Sequence, residues 1–513
     1  AGPVGASVPY LVFDPGGMSF EDYFGFAGKS DLEKSVLFLV GLAPALAQRG
    51  HFIDDRYLNF KAKKGASLGP TCMACAGVTG IEVLKLLLNR GKTYYVPWAM
   101  QFDMYRNRYH KRYNWRGNNN PLSQMKIRLM MQWAEAKADT IPAEEKGYRR
   151  ALDRILDVAR WAPSGDNCQP WFLTLRNDTA FQMDLGRFKQ NVYNLLPMPD
   201  YISTGMFIEN ARIAAEKEGY DLDWTTAEDQ VAVTLKKAKK KPENPLYPYI
   251  PTRSVNRYVY KPKKLLPTVR TALTAAVDDG IRITWFESFA DKRKIADLMM
   301  RTTDIRLRLP ETFPIHSTLI DWSGQDSADR IPAAAAGVNP LALKMMKWAL
   351  GDQTRNEKLM KLPGSTASFM LELDLLPGLL CAGHFVMSFD PDKTPAPEVA
   401  DYIRAGQSMQ RFWLTLSRYG MALQPWYIPV MFSRYVAEDI PFTTDEKLLA
   451  KAQLLRDRLC EGVLAPRDLR LEDVFFTGRI GYPFKTPQAR SVRKPFEDLI
   501  VTDKRGEKPA ETV

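Results

Sequence analysis

The chain has 513 residues, 45% of them apolar and 25% charged, which excludes wholesale disorder and allows a core of normal size. Five cysteines exclude a disulfide scaffold and suit a reducing, cytoplasmic setting. Lys+Arg 71 against Asp+Glu 59 gives a net charge of +12, which fits nucleic acid, a membrane surface or a phosphate-bearing ligand.

The basic residues are scattered apart from KKAKKKP, Lys236 to Pro242, which reads as a solvated loop. Without a zinc finger, an RNP-type motif or a basic zipper, nucleic acid is not expected. The apolar run 35–48 is broken by Pro44, and the stretch 366–388 carries Glu372 and Asp374. Neither suits a membrane span, and no secretory signal is visible.

The chain opens on AGPVGASVPYLVFDPGG rather than Met, which suggests a truncated or processed amino end. Val8 to Phe13 is strand-like, with a turn at Pro15-Gly16-Gly17. Ile81, Leu84, Leu87 and Leu88 predict a helix over Val78 to Asn89, ended by Gly91. Cys72 and Cys75 form C-x-x-C, half a zinc site; packing, zinc and thiol chemistry are all open for the pair. YRNRYHKRYNWRGNNNP, Tyr105 to Pro121, reads as a surface strand or connector, and a polar helix follows over Pro121 to Ala138. The charged segment Asp139 to Lys146, with Pro142, marks a domain boundary.

The run ASLGPTCMACAGVTGIEVLKLLLNRGK, Ala66 to Lys92, followed by VPWAMQFDMYRNR, resembles the latter half of a ThiF/MoeB-like domain, the ubiquitin-activating type. The resemblance implies a partial α/β domain over residues 1–140 and a homodimer formed through it. Such proteins adenylate a carboxylate terminus. No G-x-G-x-x-G precedes the segment here, so the nucleotide site is expected to be absent or incomplete.

A second domain is expected over 147–502, with a tail at 503–513. Leu152, Ile155, Leu156 and Ala159 share one helix face, stopped by Ala162-Pro163-Ser164-Gly165. A strand over Trp171 to Arg176 and a helix over Thr204 to Glu218 follow, then a basic, Pro-rich connection at 236–252. A helix over Leu265 to Val277, a strand over Ile281 to Phe286 and a helix over Glu398 to Tyr419, capped by Gly420, continue the chain. The carboxyl-terminal stretch reads as mostly extended.

The most informative run is APSGDNCQPW, Ala162 to Trp171. Ser164 and Asn167 offer donors and acceptors, and Gly165 allows close backbone approach to a ligand; a simple capping turn is the plainer alternative. The run resembles the P-S-x-x-N-x-Q-P-W loop of the nitroreductase superfamily, FMN-dependent oxidoreductases, with Pro163, Ser164, Asn167, Gln169, Pro170 and Trp171 at the matching positions. In PTRSVNRYVYKP, Pro251 to Pro262, two guanidinium groups flank a serine and can form a forked donor set for phosphate. Arg253, Ser254 and Arg257 there are similar to the superfamily's R-S-x-x-R element. TGRIGYPFKTPQARSVRKPFEDLI, Thr477 to Ile500, resembles its closing segment, with Arg490 or Arg493 as a further phosphate ligand.

The order of these runs departs from the ordinary family, whose sites are built across a dimer interface. The resemblance therefore implies an α+β, nitroreductase-like pseudo-dimer of two fused half-copies, about 147–245 and 246–502, with one composite site. This is similar to the Acg-like branch, as is RAGQSMQRFWLTLSRYGMALQPW, Arg404 to Trp426. The implied chemistry is hydride transfer at flavin N5, with FMN as cofactor, NAD(P)H as a candidate electron donor and a small-molecule substrate. The isoalloxazine carries that chemistry, so no catalytic side chain is singled out and no metal is expected. His51, His110, His316 and His384 read as structural, and Cys168 as packing. The Met-rich stretch Ala333 to Lys361 is a core-packed helix or, as the resemblance implies, a lid over the flavin. The alternatives are a non-catalytic flavin-binding or storage protein, and a biosynthetic fusion that activates a carboxylate.

Overall fold

The computed structural model describes residues 2, 4–46, 69–138, 148, 150–185, 187, 190–239, 242–484 and 489–501. The expected boundary at 139–146, the tail 503–513, His51, Lys240-Lys241 and residues 485–488 lie outside them. The chain divides into two compact units, Ala1–Pro142 and Ala143–Val513.

In the first unit, strand β1 (Ser7–Tyr10) pairs with β2 (Trp98–Asp103), which pairs with β3 (Arg108–Tyr113). Helices α1 (Phe20–Phe24), α2 (Asp31–Leu42) and α3 (Gly69–Leu87) lie between β1 and β2 in sequence, and α4 (Pro121–Ala138) follows β3. Both strand pairings are antiparallel, so the partial α/β arrangement expected for residues 1–140 is not what these strands form. A capping box starts α2: the Ser30 side chain accepts from the Glu33 N–H and the Glu33 carboxylate takes the Ser30 N–H. Its buried Val36, Leu37 and Val40 pack with Ile127 of α4.

The asparagine-rich run taken for a surface connector is partly core. Asn118 Nδ2 donates to the carbonyls of Phe24 (3.0 Å) and Leu37 (2.9 Å). Asn120 Nδ2 donates to Asn114 Oδ1 and Ser123 Oγ, both at 2.9 Å. Buried polar groups are mostly hydrogen-bonded, and these amides meet one another and nearby backbone carbonyls.

Helix α3 begins earlier than its apolar spacing suggested. Ile81, Leu84, Leu87 and Leu88 are exposed, the last two at 76% and 67%. The helix buries Thr71 and Cys75 instead. Periodicity marks one face of a helix; it does not say that anything covers that face. With 19 residues, α3 is long and apolar enough, by length and composition alone, to cross a membrane; the apolar runs considered from the sequence did not include it. Cys72 is exposed, Cys75 buried, and both are free thiols. Among the described residues no group of His, Cys, Asp and Glu could hold a metal ion.

The second unit opens with α5 (Ala151–Ala159), β4 (Leu173–Asn177), β5 (Ala180–Asp184), α6 (Met198–Glu218), β6 (Tyr220–Ala227) and β7 (Gln230–Lys237). The four strands form one sheet in the order β4-β5-β7-β6. After β8 (Tyr260–Lys261) come α7 (Pro267–Thr274) and β9 (Ile281–Phe286). An insertion follows: α8 (Phe289–Arg308), α9 (Phe313–Leu319), β10 (Ile320–Asp321), β11 (Asp326–Ser327), β12 (Ile331–Pro332), α10 (Pro340–Leu350), α11 (Gln353–Lys361), α12 (Ala367–Phe369) and α13 (Leu376–Leu379). The chain then runs through β13 (Gly383–Phe389), α14 (Val399–Arg418), β14 (Ala422–Pro425), α15 (Ile428–Ala437), α16 (Glu446–Leu459), β15 (Val474–Pro483) and β16 (Arg490–Ser491).

The second sheet runs β14-β15-β13-β9. Taken in chain order, α7, β9, β13, α14, β14 and β15 repeat α5, β4, β5, α6, β6 and β7, with the same strand adjacencies. A turn at Asp178-Thr179 joins β4 to β5, whereas the whole insertion separates β9 from β13. Helices and antiparallel sheets are thus mixed in an α+β manner.

The helices α6 and α14 cross at glycine. A Cβ on Gly205 would stand 2.0 Å from the Ile403 carbonyl oxygen, and one on Gly406 2.1 Å from that of Ile202. The contact is reciprocal, as at a two-fold interface. Both glycines end a repeated Asp-Tyr-Ile-x-x-Gly, Asp200 to Gly205 and Asp401 to Gly406. Gly219 and Gly420, at that same spacing, both take left-handed φ beyond the helix ends. Beside the crossing, Gln410 Nε2 donates to Asn210 Oδ1 at 2.7 Å. Fully buried Glu209 is paired by Arg212 (2.6 Å) and Arg411 (3.1 Å), the pairing a buried carboxylate requires.

Candidate functional site

The run Ala162 to Trp171 leaves α5 and enters β4. Asp166, Asn167 and Gln169 all have left-handed φ, at 50°, 62° and 52°, a region uncommon for residues other than glycine. Several hydrogen bonds hold the loop there. The Gln169 N–H donates to Ser164 Oγ at 2.9 Å. Asn167 Nδ2 points among the carbonyls of Ala328 (3.1 Å), Val492 (3.2 Å), Arg330 (3.4 Å) and Ser327 (3.5 Å). Gln169 Nε2 donates to Ala328 O at 2.7 Å, and its Oε1 accepts from the Lys494 N–H at 3.0 Å.

Asn167 and Gln169 therefore stitch the loop to two distant segments. Trp171 is 1% exposed and packs on Phe207, ring centres 5.1 Å apart, as a core residue. Pro163 is buried too. The loop shows solvent Gly165, Asp166 and Cys168, with Ser164 half-buried, and a Cβ on Gly165 would meet nothing within 4 Å.

Just past α5, backbone carbonyls gather arginines. Arg253 Nη2 donates to Trp161 O (3.3 Å), Arg493 Nε to Ala162 O (2.9 Å) and Arg490 Nη2 to Pro251 O (2.6 Å). Arg253 and Arg493 are buried, and among the described residues neither forms an ion pair. Burial, with Arg493 and Arg490 as like-charged neighbours, holds Arg253 well below the ordinary arginine range. Burial, then Arg490 and Arg160, bring Arg493 down to about 9. Arg160 itself is paired with Asp157 at 2.8 Å. The helix-end carbonyls and the Trp413 ring, 4.5 Å from Arg253 Cζ, offset part of the repulsion. A buried cluster of this kind can receive an anion. The sequence left Arg490 and Arg493 as alternatives; both are in it.

Ser254 and Arg257 are not brought into that cluster. The Ser254 hydroxyl donates to the Val255 carbonyl at 3.3 Å. Arg257 Nη1 donates to Ala335 O at 3.3 Å, and its charged neighbours are Asp166 and Arg306. The fork expected of Arg253 and Arg257 is therefore split between two places.

Arg257 belongs to a second group. Tyr193 Oη and His316 Nε2 lie 2.7 Å apart. Burial raises the Asp166 carboxyl, opposed by Arg257 and Arg306. Burial pushes the Cys168 thiol up to about 12 and His316 down to about 3, so His316 is neutral. Asp166 and Cys168 show surface to solvent, yet the surrounding protein desolvates both. Tyr193, Arg306 and Asp374 carried no sequence signal that marked them; His316 was visible only as a lone histidine.

Asp374 lies on a π-helical turn, Met370–Leu375, between α12 and α13, a feature frequent at functional sites. Burial pushes its carboxyl up to about 6. At neutral pH the fold thus carries a charge that the unfolded chain would hold in water. Asp374→Asn is expected to stabilise the protein by roughly 1–3 kcal/mol near pH 7. The gain should shrink as pH falls through 6 toward 4, where wild-type Asp374 is protonated in the fold as well. Thermal melts across that range check this, and a variant less stable than wild type at pH 7 would overturn it.

The segment 326–337 covers the loop and Arg257. Besides the Asn167 contacts, Tyr258 Oη donates to Ala334 O at 2.8 Å, and β11 pairs in parallel with β16. A Cβ on Gly337, at φ +86°, would stand 2.7 Å from Arg257 Cβ. Of the expected lid, 333–361, only its first residues make these contacts. In α10 Leu341, Met345 and Trp348 are exposed.

No family model matches the chain. It is 21% identical over 303 residues to an uncharacterized protein of Mycobacterium tuberculosis, over 57% of this chain and 40% of that protein. It is 32% identical over 81 residues to a probable NAD(P)H nitroreductase, PigM, of a Serratia species, over 15% of this chain and 22% of that protein. The chain thus spans less than half the length of either relative. The second match is a short likeness to a protein named as an oxidoreductase.

Proposed function

We propose that the unit Ala143–Val513 is an FMN-dependent oxidoreductase with one composite flavin site. The buried arginine cluster carries this reading. Arg253 Nε is a buried donor with no partner, and a phosphate would supply the missing negative charge. Arg253, Arg490 and Arg493 would hold the phosphate. Ser164, Gly165 and Arg257 would face the rest of the cofactor, and Asn167, Gln169 and Trp171 would keep the loop in shape. When bound, the flavin would supply hydride transfer, with NAD(P)H as donor, as the name of the Serratia relative suggests. The chain's own work would be to bind, to exclude water with 326–337, and to orient.

The fused pseudo-dimer is supported by the repeated element order and by the reciprocal Gly205 and Gly406 contacts. In the second series the turn after α7, residues 275–280, has no counterpart of the Asn-x-Gln pair. It carries Asp278 instead, paired with Arg411 at 2.6 Å, which suits an anion poorly. The proposal rests on this unit alone; no family model supports a ThiF-like reading of residues 1–140.

The test is the visible spectrum of the purified full chain, followed by identification of any cofactor released on denaturation. FMN near one per chain is expected. Two per chain would refute the single site, and none, even after incubation with FMN, would refute the cofactor. The cover over Arg257 favours a second reading, flavin storage without turnover. NAD(P)H oxidation with varied acceptors separates the two.

A further inference from the structure

Three stretches that carry none of the residues assigned to the flavin enclose a cavity of about 540 Å³ in the second unit. They are residues 190–195 before α6, residues 311–318 from the turn after α8 into α9, and Pro441-Phe442 between α15 and α16. The walls are braced against one another. Tyr193 Oη and His316 Nε2, 2.7 Å apart, join the first to the second. The Leu195 N–H donates to Tyr435 Oη at 3.0 Å, and the Tyr435 ring lies 5.7 Å from that of Phe442, which ties the first to the third. The volume is within the range of ordinary small-molecule pockets.

The lining is mostly apolar, with Val192, Leu195, Pro314, Ile315 and Phe442 in it. Two of its polar groups are already engaged. Thr318 Oγ1 donates to the carbonyls of Pro314 (3.0 Å) and Ile315 (3.1 Å), and Asn191 Oδ1 accepts from the Tyr193 N–H at 2.8 Å. Glu311 is the one charged residue of the lining. It is half-buried, and its Oε2 is closed to solvent with no hydrogen bond. Among the described residues its carboxylate has no ion-pair partner. A carboxylate held among apolar groups is costly until a cation meets it. No lysine or arginine lines the cavity, so the complementary charge is a ligand's to supply.

We propose that this cavity binds a small apolar amine, its ammonium group on Glu311 and its hydrocarbon body against Val192, Leu195, Ile315 and Phe442. An ammonium carries three donors, and the Gln190 amide in the same lining offers a further acceptor. Apolar walls with a few placed polar groups give such a site both affinity and orientation. The binding does not rest on the flavin reading.

Calorimetric titration of the purified full chain with phenethylamine and with phenethyl alcohol tests this. The amine is expected to bind at least about tenfold more tightly, the size of one charge-assisted contact. The chain's net charge of +12 repels cations in general, so that preference reports a local carboxylate. Glu311→Gln should abolish the preference and leave the alcohol's affinity unchanged. Thr318 is exposed, and Thr318→Trp, which sets a bulky ring in the lining, should weaken both probes alike. Equal affinity for the two probes, or a preference that persists in Glu311→Gln, would overturn the proposal. Undiminished binding of the amine by Thr318→Trp would overturn it as well, and decides the matter should Glu311→Gln fail to fold. The amine preference is expected at any flavin content. Absorbance of the same samples reports the flavin, so failure of this site and failure of the flavin reading are seen separately.

Discussion

Replacing Arg253 and Arg493 together by alanine is expected to weaken FMN binding by at least about two orders of magnitude. Each charge-assisted phosphate contact is worth roughly 1.5–3 kcal/mol, and about 1.4 kcal/mol is tenfold. The two side chains are buried against the carbonyls of Trp161 and Ala162, so no other exposed cation can swing in to replace them. Arg257→Ala is the informative contrast. Because Arg257 sits with Asp166 rather than with the cluster, its loss should weaken binding less and alter the flavin absorbance more. Equilibrium dialysis with absorbance measures both effects, and thermal melts confirm that the variants fold. Full occupancy in the double variant would remove the phosphate assignment. An Arg257→Ala effect as large as that of Arg253→Ala would restore the single fork expected from the R-S-x-x-R spacing.

Gly205→Ala or Gly406→Ala is expected to cost more stability than other single methyl additions in the second unit. A Cβ at 2.0 Å or 2.1 Å from a carbonyl oxygen cannot be relieved by a rotamer change, because the obstacle is backbone. Helices α6 and α14 would have to part by more than about 1 Å along much of their length. Overpacking ordinarily costs about 1–3 kcal/mol, and these positions belong at or above the top of that range. Once one methyl has forced the helices apart, the second meets less resistance, so the double variant should cost less than the sum. Urea unfolding of the three variants tests both points. A loss below about 1 kcal/mol in either single variant would mean that the crossing is looser than drawn, and strict additivity would mean that the two sites do not share one gap.

Much of the second unit was legible in the sequence. The apolar face of α5, the strand Ile281–Phe286 and the span of α14 follow from local periodicity and from Gly420. The loop was recognisable by its residues, and its arginine partners by theirs. The distribution of work among them was not. Asn167 and Gln169 have the side chains of ligand-binding residues, yet their amides meet backbone carbonyls far along the chain, and no local pattern encodes that. Arg253 and Arg257 are close in sequence but diverge, because the chain turns between them and Gly337 packs on only one of them. The repeat of Asp-Tyr-Ile-x-x-Gly also stands in the sequence, and only the structure shows that it marks the helix crossing. In the first unit the spacing of Ile81, Leu84, Leu87 and Leu88 marked a helix but said nothing of its burial, since burial depends on what lies opposite.

The contacts of Asn167 and Gln169 have a consequence for synthesis. The carbonyl of Val492 that Asn167 meets lies 325 residues downstream of it, and Lys494, which meets Gln169, is as distant. While a ribosome is still making the intervening chain, α5 and its sheet can form, but the left-handed loop lacks the groups that hold it. The loop takes its final shape only after the segment around Arg490 and Arg493 has left the exit tunnel. A nascent chain stalled before that point would be folded in part with its loop unset, so the loop's geometry arrives late and in one step.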